Sequence, residues 1–204
     1  MKYQLDDIAK IAAKFTEQGA GVTRDLILIA ALPGVGKTTL AKEFARQTQG
    51  AHFDLDDIKR VVVPQDIVTE GIDPPEYRYK YYAEAIRKLP DLFAETPEQL
   101  VIMDETFHLQ EFRQMWDEAA KELNIRLHWV EAVCDEEIVK ERLNVGKNRE
   151  NHILAGKGYQ MHLLFKQAFE PLKGPHETVD TNKDIVPQVS RIVSERSLGE
   201  KAIS

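Results

Sequence analysis

Three observations predict a three-layer α/β fold: a central parallel sheet of about five strands, helices on both faces and a small helical lid. The first is Leu26-Ile27-Leu28-Ile29-Ala30, a continuous apolar run of strand length. It is followed at once by Ala31-Leu32-Pro33-Gly34-Val35-Gly36-Lys37-Thr38-Thr39, then by Leu40, Phe44 and Ala45 at helical spacing. Strand, glycine-bearing loop and helix in that order form the setting in which backbone N–H groups and a helix N-terminus cradle phosphate. The second is that strand-length apolar runs alternate with helical stripes to the end of the chain, the pattern of β–α crossover units. The third is that acidic residues stand at or just after strand ends, Asp56 and Asp57 in one place and Asp104 and Glu105 in another. Ligands of parallel sheets sit beyond those carboxyl ends.

Taken in order, Leu5, Ile8, Ala12 and Phe15 repeat at helical spacing and Gln18-Gly19 ends the pattern, so residues 1–21 hold an N-terminal helix. The first strand covers 26–30, and the helix after the loop runs to about Gln49, stopped by Gly50. Ala51 to Leu55 is the second strand. Pro64, Gly71, Pro74 and Pro75 break the next stretch, and a helix rich in tyrosine, from Tyr77 on, ends near Pro90. Leu100-Val101-Ile102-Met103 reads as a buried parallel strand. Leu109, Phe112, Trp116, Ala119 and Leu123 form an apolar helical stripe. Another strand covers 127–133, Asp135 caps a helix through Leu143, and a longer helical pattern spans 152–169. Val179 lies in the last strand, Ile185, Val189, Ile192 and Val193 mark the last helix, and residues 197–204 read as a frayed tail.

The loop residues Pro33, Gly34, Val35, Gly36, Lys37, Thr38 and Thr39 are the candidate nucleotide cradle. Lys37 reaches the β- and γ-phosphates as a point charge, and the Thr38 hydroxyl can ligate Mg²⁺. Ala31 stands where this motif usually has glycine; alanine costs little at negative φ and resists positive φ. Asp104, at the end of an apolar run, is placed to order the Mg²⁺. Asp56 reads as a carboxylate that takes the proton of an attacking hydroxyl, whereas Asp57 suits a helix N-terminus. Arg142 and Arg149 flank Leu143-Asn144-Val145-Gly146-Lys147-Asn148, so residues 142–152 read as a cationic lid over a transferring phosphoryl group. The histidines show no metal-ligand spacing, and the Tyr77–Tyr82 stretch reads as an amphipathic helix over the sheet.

With 204 residues, 43% of them hydrophobic, the chain suits one well-packed domain. A formal charge of -7 disfavours bulk nucleic-acid binding, which draws its affinity from neutralised phosphates. The single cysteine, Cys134, excludes a disulfide framework and suits the cytoplasm. No apolar run reaches membrane-spanning length, and no targeting segment is visible.

The ordered set ALPGVGKTT, LDDIKR, VIMDETF, Arg113, ERLNVGKNR, FEP at 169–171 and VDTN at 179–182 resembles the small P-loop kinases of AAA-domain type. These are related to polynucleotide 5′-hydroxyl kinases, zeta toxins and chloramphenicol phosphotransferase. The resemblance spans about 26–193. It implies a P-loop NTPase/kinase-like fold with ATP and Mg²⁺, Asp56 as catalytic base, and Lys59 and Arg113 on the substrate side. It also implies Arg142 and Arg149 as lid cations and Thr181-Asn182 near the adenine. Lys59 stands where arginine is common, and the two lid arginines are further apart than usual.

The leading expectation is an ATP-dependent phosphotransferase acting on a hydroxyl of a small-molecule or nucleotide-like acceptor. The alternatives are an ATPase in which Glu105 activates water, a GTP switch, and a nucleotide-binding module without phosphotransfer. Asn182-Lys183-Asp184 lacks the spacer residue of a guanine-reading motif, and intact Lys37, Thr38, Asp56 and Asp104 oppose the non-catalytic reading.

Overall fold

The computed structural model describes residues 7–19, 21–64, 73–145 and 158–198. Within them five strands form one parallel sheet: β1 (Asp25–Ala30), β2 (Ala51–Asp54), β3 (Leu100–Glu105), β4 (Arg126–Val133) and β5 (Glu177–Asp180). The spatial order is β2-β3-β1-β4-β5. The described helices are α1 (Ile8–Glu17), α2 (Lys37–Thr48), α3 (Leu55–Val62), α4 (Pro75–Ala94), α5 (Gln110–Glu122), α6 (Glu136–Val145), α7 (Gly158–Ala168) and α8 (Ile185–Arg196).

The apolar run of β1 makes it the central strand, because every one of its residues is buried and a strand covered on both faces needs no polar alternation. Leu26, Leu28 and Ala30 face one core, shared with β3 residues Val101 and Met103 and with apolar residues of α1, α3, α4 and α5. Ile27 and Ile29 face the other, shared with Leu40, Ala41 and Phe44 of α2, Val139 of α6, and Val189 and Ile192 of α8. The expected three layers follow from this period-2 division of side chains.

Register places the chemistry. Ala30 pairs with Glu105 and Ile29 with Asp104, while Asp54 pairs with Asp104 across β2 and β3. The carboxyl ends of three adjacent strands therefore terminate side by side, next to the 31–36 loop.

Some boundaries differ from the sequence reading. Helix α4 does not end near Pro90 but runs on to Ala94. A proline inside a helix removes one backbone bond. Here Leu89, Pro90 and Phe93 are all buried in the core, so burial of that turn outweighs the lost bond. The N-terminal helix is described over Ile8–Glu17. Most of the expected lid, with Lys147 and Arg149, lies outside the described residues, as do residues 199–204 of the expected frayed tail.

Candidate active site

The loop after β1 turns tightly onto the N-terminus of α2. Gly34 and Gly36 hold φ of 83° and 106°, conformations that only glycine adopts cheaply. A side chain at Gly34 would also place its Cβ 2.7 Å from Leu143. Ala31 is not among the residues with positive φ, so alanine is tolerated where glycine is usual. Helix α2 has no side-chain cap and no acidic residue in its first turn. Helices α3 and α8, by contrast, are capped by Asp54 and Asp184. The N–H groups at the start of α2 are thus left for an anion.

The loop is braced from the β4–β5 side of the sheet. Thr181 donates its hydroxyl to the Val35 carbonyl at 2.6 Å. The Arg142 guanidinium donates to Val35 O at 3.0 Å and to Thr181 O at 2.8 Å. The His162 Nδ1 lies 2.8 Å from the Pro33 carbonyl. Asn182, beside Thr181, accepts from the Asp135 N–H at 3.0 Å and from the Cys134 thiol at 2.9 Å. Arg142 therefore stands at the first residue of the expected lid, with its guanidinium bonded to the loop backbone.

The Thr38 hydroxyl donates to Asp104 Oδ2 at 2.9 Å. Two hard oxygen donors brought together beside a phosphate cradle suit Mg²⁺, which takes few protein ligands and completes its shell from phosphates and water. The His52 Nε2 lies 2.6 Å from Asp104 Oδ1 and orients that carboxylate. Among the described residues no group of three or more His, Cys, Asp or Glu forms a metal cage.

Asp56 opens α3 directly after β2, and its backbone N–H bonds to Asp54 Oδ1 at 2.9 Å. Burial, and then the neighbouring Glu105 and Asp54 carboxylates, push its carboxyl up to about 6 against the pull of Lys59 and Lys37. Asp57 points away: it is exposed and paired with Arg60 at 2.6 Å.

The wall beside Asp56 is a buried ion network. The Lys59 ammonium bonds Asp73 Oδ2 at 2.8 Å. Wholly buried Arg78 reaches the same oxygen at 3.0 Å and Glu105 Oε2 at 2.7 Å. That Glu105 oxygen also accepts from the Tyr82 hydroxyl and from the N–H groups of Thr106 and Phe107. Burial opposes the charged form of Glu105, yet Arg78, with Lys59 and Lys37, holds the carboxyl down to about 2. Burial and the Arg78 charge push the His108 imidazole down to about 4, so it is neutral at pH 7.

Arg113, expected on the substrate side, is engaged within the protein. It is buried and donates to the backbone carbonyls of Phe107 (2.6 Å), Glu170 (2.9 Å) and Pro171 (3.1 Å). Its remaining bonds go to the Gln110 side chain. This fork ties the loop after β3 to the FEP segment, and it holds Phe107, a bulky residue at φ 45°, in a conformation that costs energy alone. Arg113→Lys keeps the charge and loses the fork. It is expected to lower the unfolding midpoint while ATP affinity stays within about twofold, a shift too small to reflect a lost ligand contact; thermal melts and nucleotide titration check both.

Sequence reasoning missed Asp73, the roles of His52 and His162, and the buried ion pairing of Arg78. A signal existed for Arg78: it stands three and four residues before Tyr81 and Tyr82, on the stripe that α4 buries. A cation on a buried stripe needs a carboxylate partner.

A nucleotide loop at the end of a central strand, with Thr38 and Asp104 paired beside it, defines a P-loop nucleotide-binding fold of the kinase type. The chain belongs to a family described as an AAA domain, which matches residues 26–171. Among solved structures it is similar to a sugar kinase from Janibacter sp. HTCC2649, with 19% identity and a TM-score of 0.63, covering 86% of this chain and 95% of that one. It is also similar to the Mycobacterium tuberculosis APS kinase CysC in complex with AMPPNP and APS (12% identity, TM-score 0.61, 86% and 99% covered). A third is Chaetomium thermophilum Kti12 in complex with ADP-AlF3 (13% identity, TM-score 0.61, 84% and 97% covered). At these identities the likeness concerns the fold. No curated protein sequence matches the chain. No described helix is long and apolar enough to cross a membrane.

Proposed function

We propose that the protein transfers the γ-phosphate of Mg-ATP to a hydroxyl group, with Asp56 as the general base. The observation that carries this reading is the position and ionisation of Asp56. It stands in the first turn of α3, just after β2, within the field of Lys37 and Glu105, with its carboxyl pushed up to about 6. A base works best when its pKa lies near the working pH. The family and the kinases of like fold support the same class of chemistry.

In this reading the 33–39 loop binds the phosphates, and Lys37 neutralises charge on the β- and γ-oxygens. Thr38 and Asp104 would hold Mg²⁺, which when bound neutralises charge on the phosphates. Asp56 accepts the proton of the acceptor hydroxyl. The acceptor oxygen forms a bond to the γ-phosphorus, the bond from that phosphorus to the β–γ bridging oxygen breaks, and ADP leaves. The proton passes from Asp56 to solvent. Arg142 keeps the loop in shape through Val35 and Thr181, and Arg149 is assigned to the lid from its sequence position. Asn182, beside Thr181, is assigned to the adenine side.

The hydrolytic alternative requires Glu105 to act on water. Its Oε2 already accepts four hydrogen bonds and its carboxyl lies at about 2, so it binds a proton weakly and is built as an anchor for Arg78.

The pH dependence of transfer tests Asp56. The base must be ionised, so the rate is expected to be level above about pH 7 and to fall tenfold per unit of pH well below 6. Single-turnover transfer measured from pH 5 to 8 checks this; a rate independent of pH across that range contradicts Asp56 as base.

A further inference from the structure

The two cations of the described wall beside Asp56 are already paired from within the protein. Lys59 bonds Asp73 at 2.8 Å. Arg78 divides its guanidinium between the same Asp73 oxygen and Glu105, at 3.0 and 2.7 Å. Two cations thus meet two carboxylates, in a setting where Arg78 and Asp73 are wholly buried and only 12% of the Lys59 side chain is exposed. Two further carboxylates, Asp54 and Asp56, have no cation among the ion pairs of the described residues. Lys37 belongs to the nucleotide loop. Arg142 is bonded to Val35 and Thr181, and Arg113 to carbonyls and Gln110.

An acceptor bearing a carboxylate or phosphate would enter beside Asp54, Asp56 and Glu105. To gain a cation from the described wall it would have to displace Asp73 from Lys59 and Arg78, leaving a buried carboxylate unpaired. The unused capacity of the cluster points the same way. Asp73 Oδ1 is buried without a hydrogen-bond partner, and an ionised carboxylate oxygen can only accept. The cluster therefore already holds acceptor capacity that it does not use, and an added anion beside it would meet repulsion.

We infer that the acceptor is a hydroxyl compound without negative charge, a polyol or an amino alcohol, and that the Asp73 bridge excludes anionic hydroxyl compounds. This rests on the phosphotransfer reading above and narrows its substrate class. It also reassigns Lys59 from an acceptor or phosphate contact to the partner of Asp73.

The test uses the full chain with Mg²⁺ and γ-labelled ATP. The acceptors are a neutral hexose series and polyols, the matching amino sugars, the matching sugar acids and sugar phosphates, and a 5′-hydroxyl oligonucleotide. The label is expected in neutral or amine-bearing products, with kcat/KM at least about tenfold above the best anionic acceptor, given the cost of like-charge juxtaposition. Asp73→Asn, which loosens Lys59 and Arg78, is expected to move that ratio toward anions by about tenfold, with ATP binding and thermal melts reporting whether the variant is folded. If it does not fold, the wild-type ranking alone decides. Anionic acceptors used as well as neutral ones overturn the inference and leave the phosphotransfer reading intact. Transfer to no acceptor, with ATP hydrolysed at a rate indifferent to Asp56→Asn, overturns the phosphotransfer reading and the inference with it.

Discussion

Asp56→Asn is expected to lower phosphate transfer about 10²–10⁴-fold, the usual contribution of a positioned general base, while ATP still binds. Asparagine keeps the size and polarity of the side chain and cannot accept the proton. The nucleotide is held elsewhere, by the loop, Lys37 and the Thr38–Asp104 pair. The adjacent Asp57 offers no rescue, since it is exposed and engaged with Arg60. Rapid-quench measurement of γ-phosphate transfer, with nucleotide titration of the same variant, checks both halves. Loss of ATP binding in parallel with transfer would instead make Asp56 a structural residue.

Arg78→Met is expected to lower stability by about 3–5 kcal/mol, because removing one partner of a buried ion network leaves the others as uncompensated charges. Glu105 would lose its closest ion-pair partner and Asp73 one of its two. Denaturant unfolding measures the loss, and a loss of less than about 1 kcal/mol, the scale of a surface pair, would contradict the burial of this network. The wild-type pH dependence has a definite sign. Glu105 is held at about 2 in the fold against an ordinary value near 4.5, so the unfolded chain binds the proton first. The network's contribution is therefore full above about pH 5 and is lost as the pH falls from there toward 2. Removing Arg78 should flatten that acid limb.

The sheet and the loop were legible because their signals are local. Leu26–Ala30 is apolar at every position, and a strand buried on both faces has no other composition open to it. Asp56 and Asp104 were legible together because each lies at or just after a strand end, and strand ends meet at one edge of a parallel sheet. What stayed hidden depends on long-range pairing. Asp73 precedes Pro74-Pro75 and reads as part of a break, yet it bridges Lys59 and Arg78. Arg113 reads as a cation on the site-side helix, yet its guanidinium turns onto the carbonyls of Glu170 and Pro171, nearly sixty positions away. The direction of a guanidinium is set by which carbonyls the fold brings near it, and no spacing rule carries that. His162 is a similar case: its bond to Pro33 exists only once α7 packs over the loop.

The most direct test of the account is the fate of the labelled γ-phosphate in a single turnover, with and without acceptor, in wild type, Asp56→Asn and Glu105→Gln. The account predicts that the wild type delivers the label to a hydroxyl of the acceptor as a phosphate ester. Asp56→Asn is expected to lower this delivery about 10²–10⁴-fold, and folded Glu105→Gln to lose much less. Label released only as inorganic phosphate whatever acceptor is present, with Glu105→Gln losing more than Asp56→Asn, would contradict it.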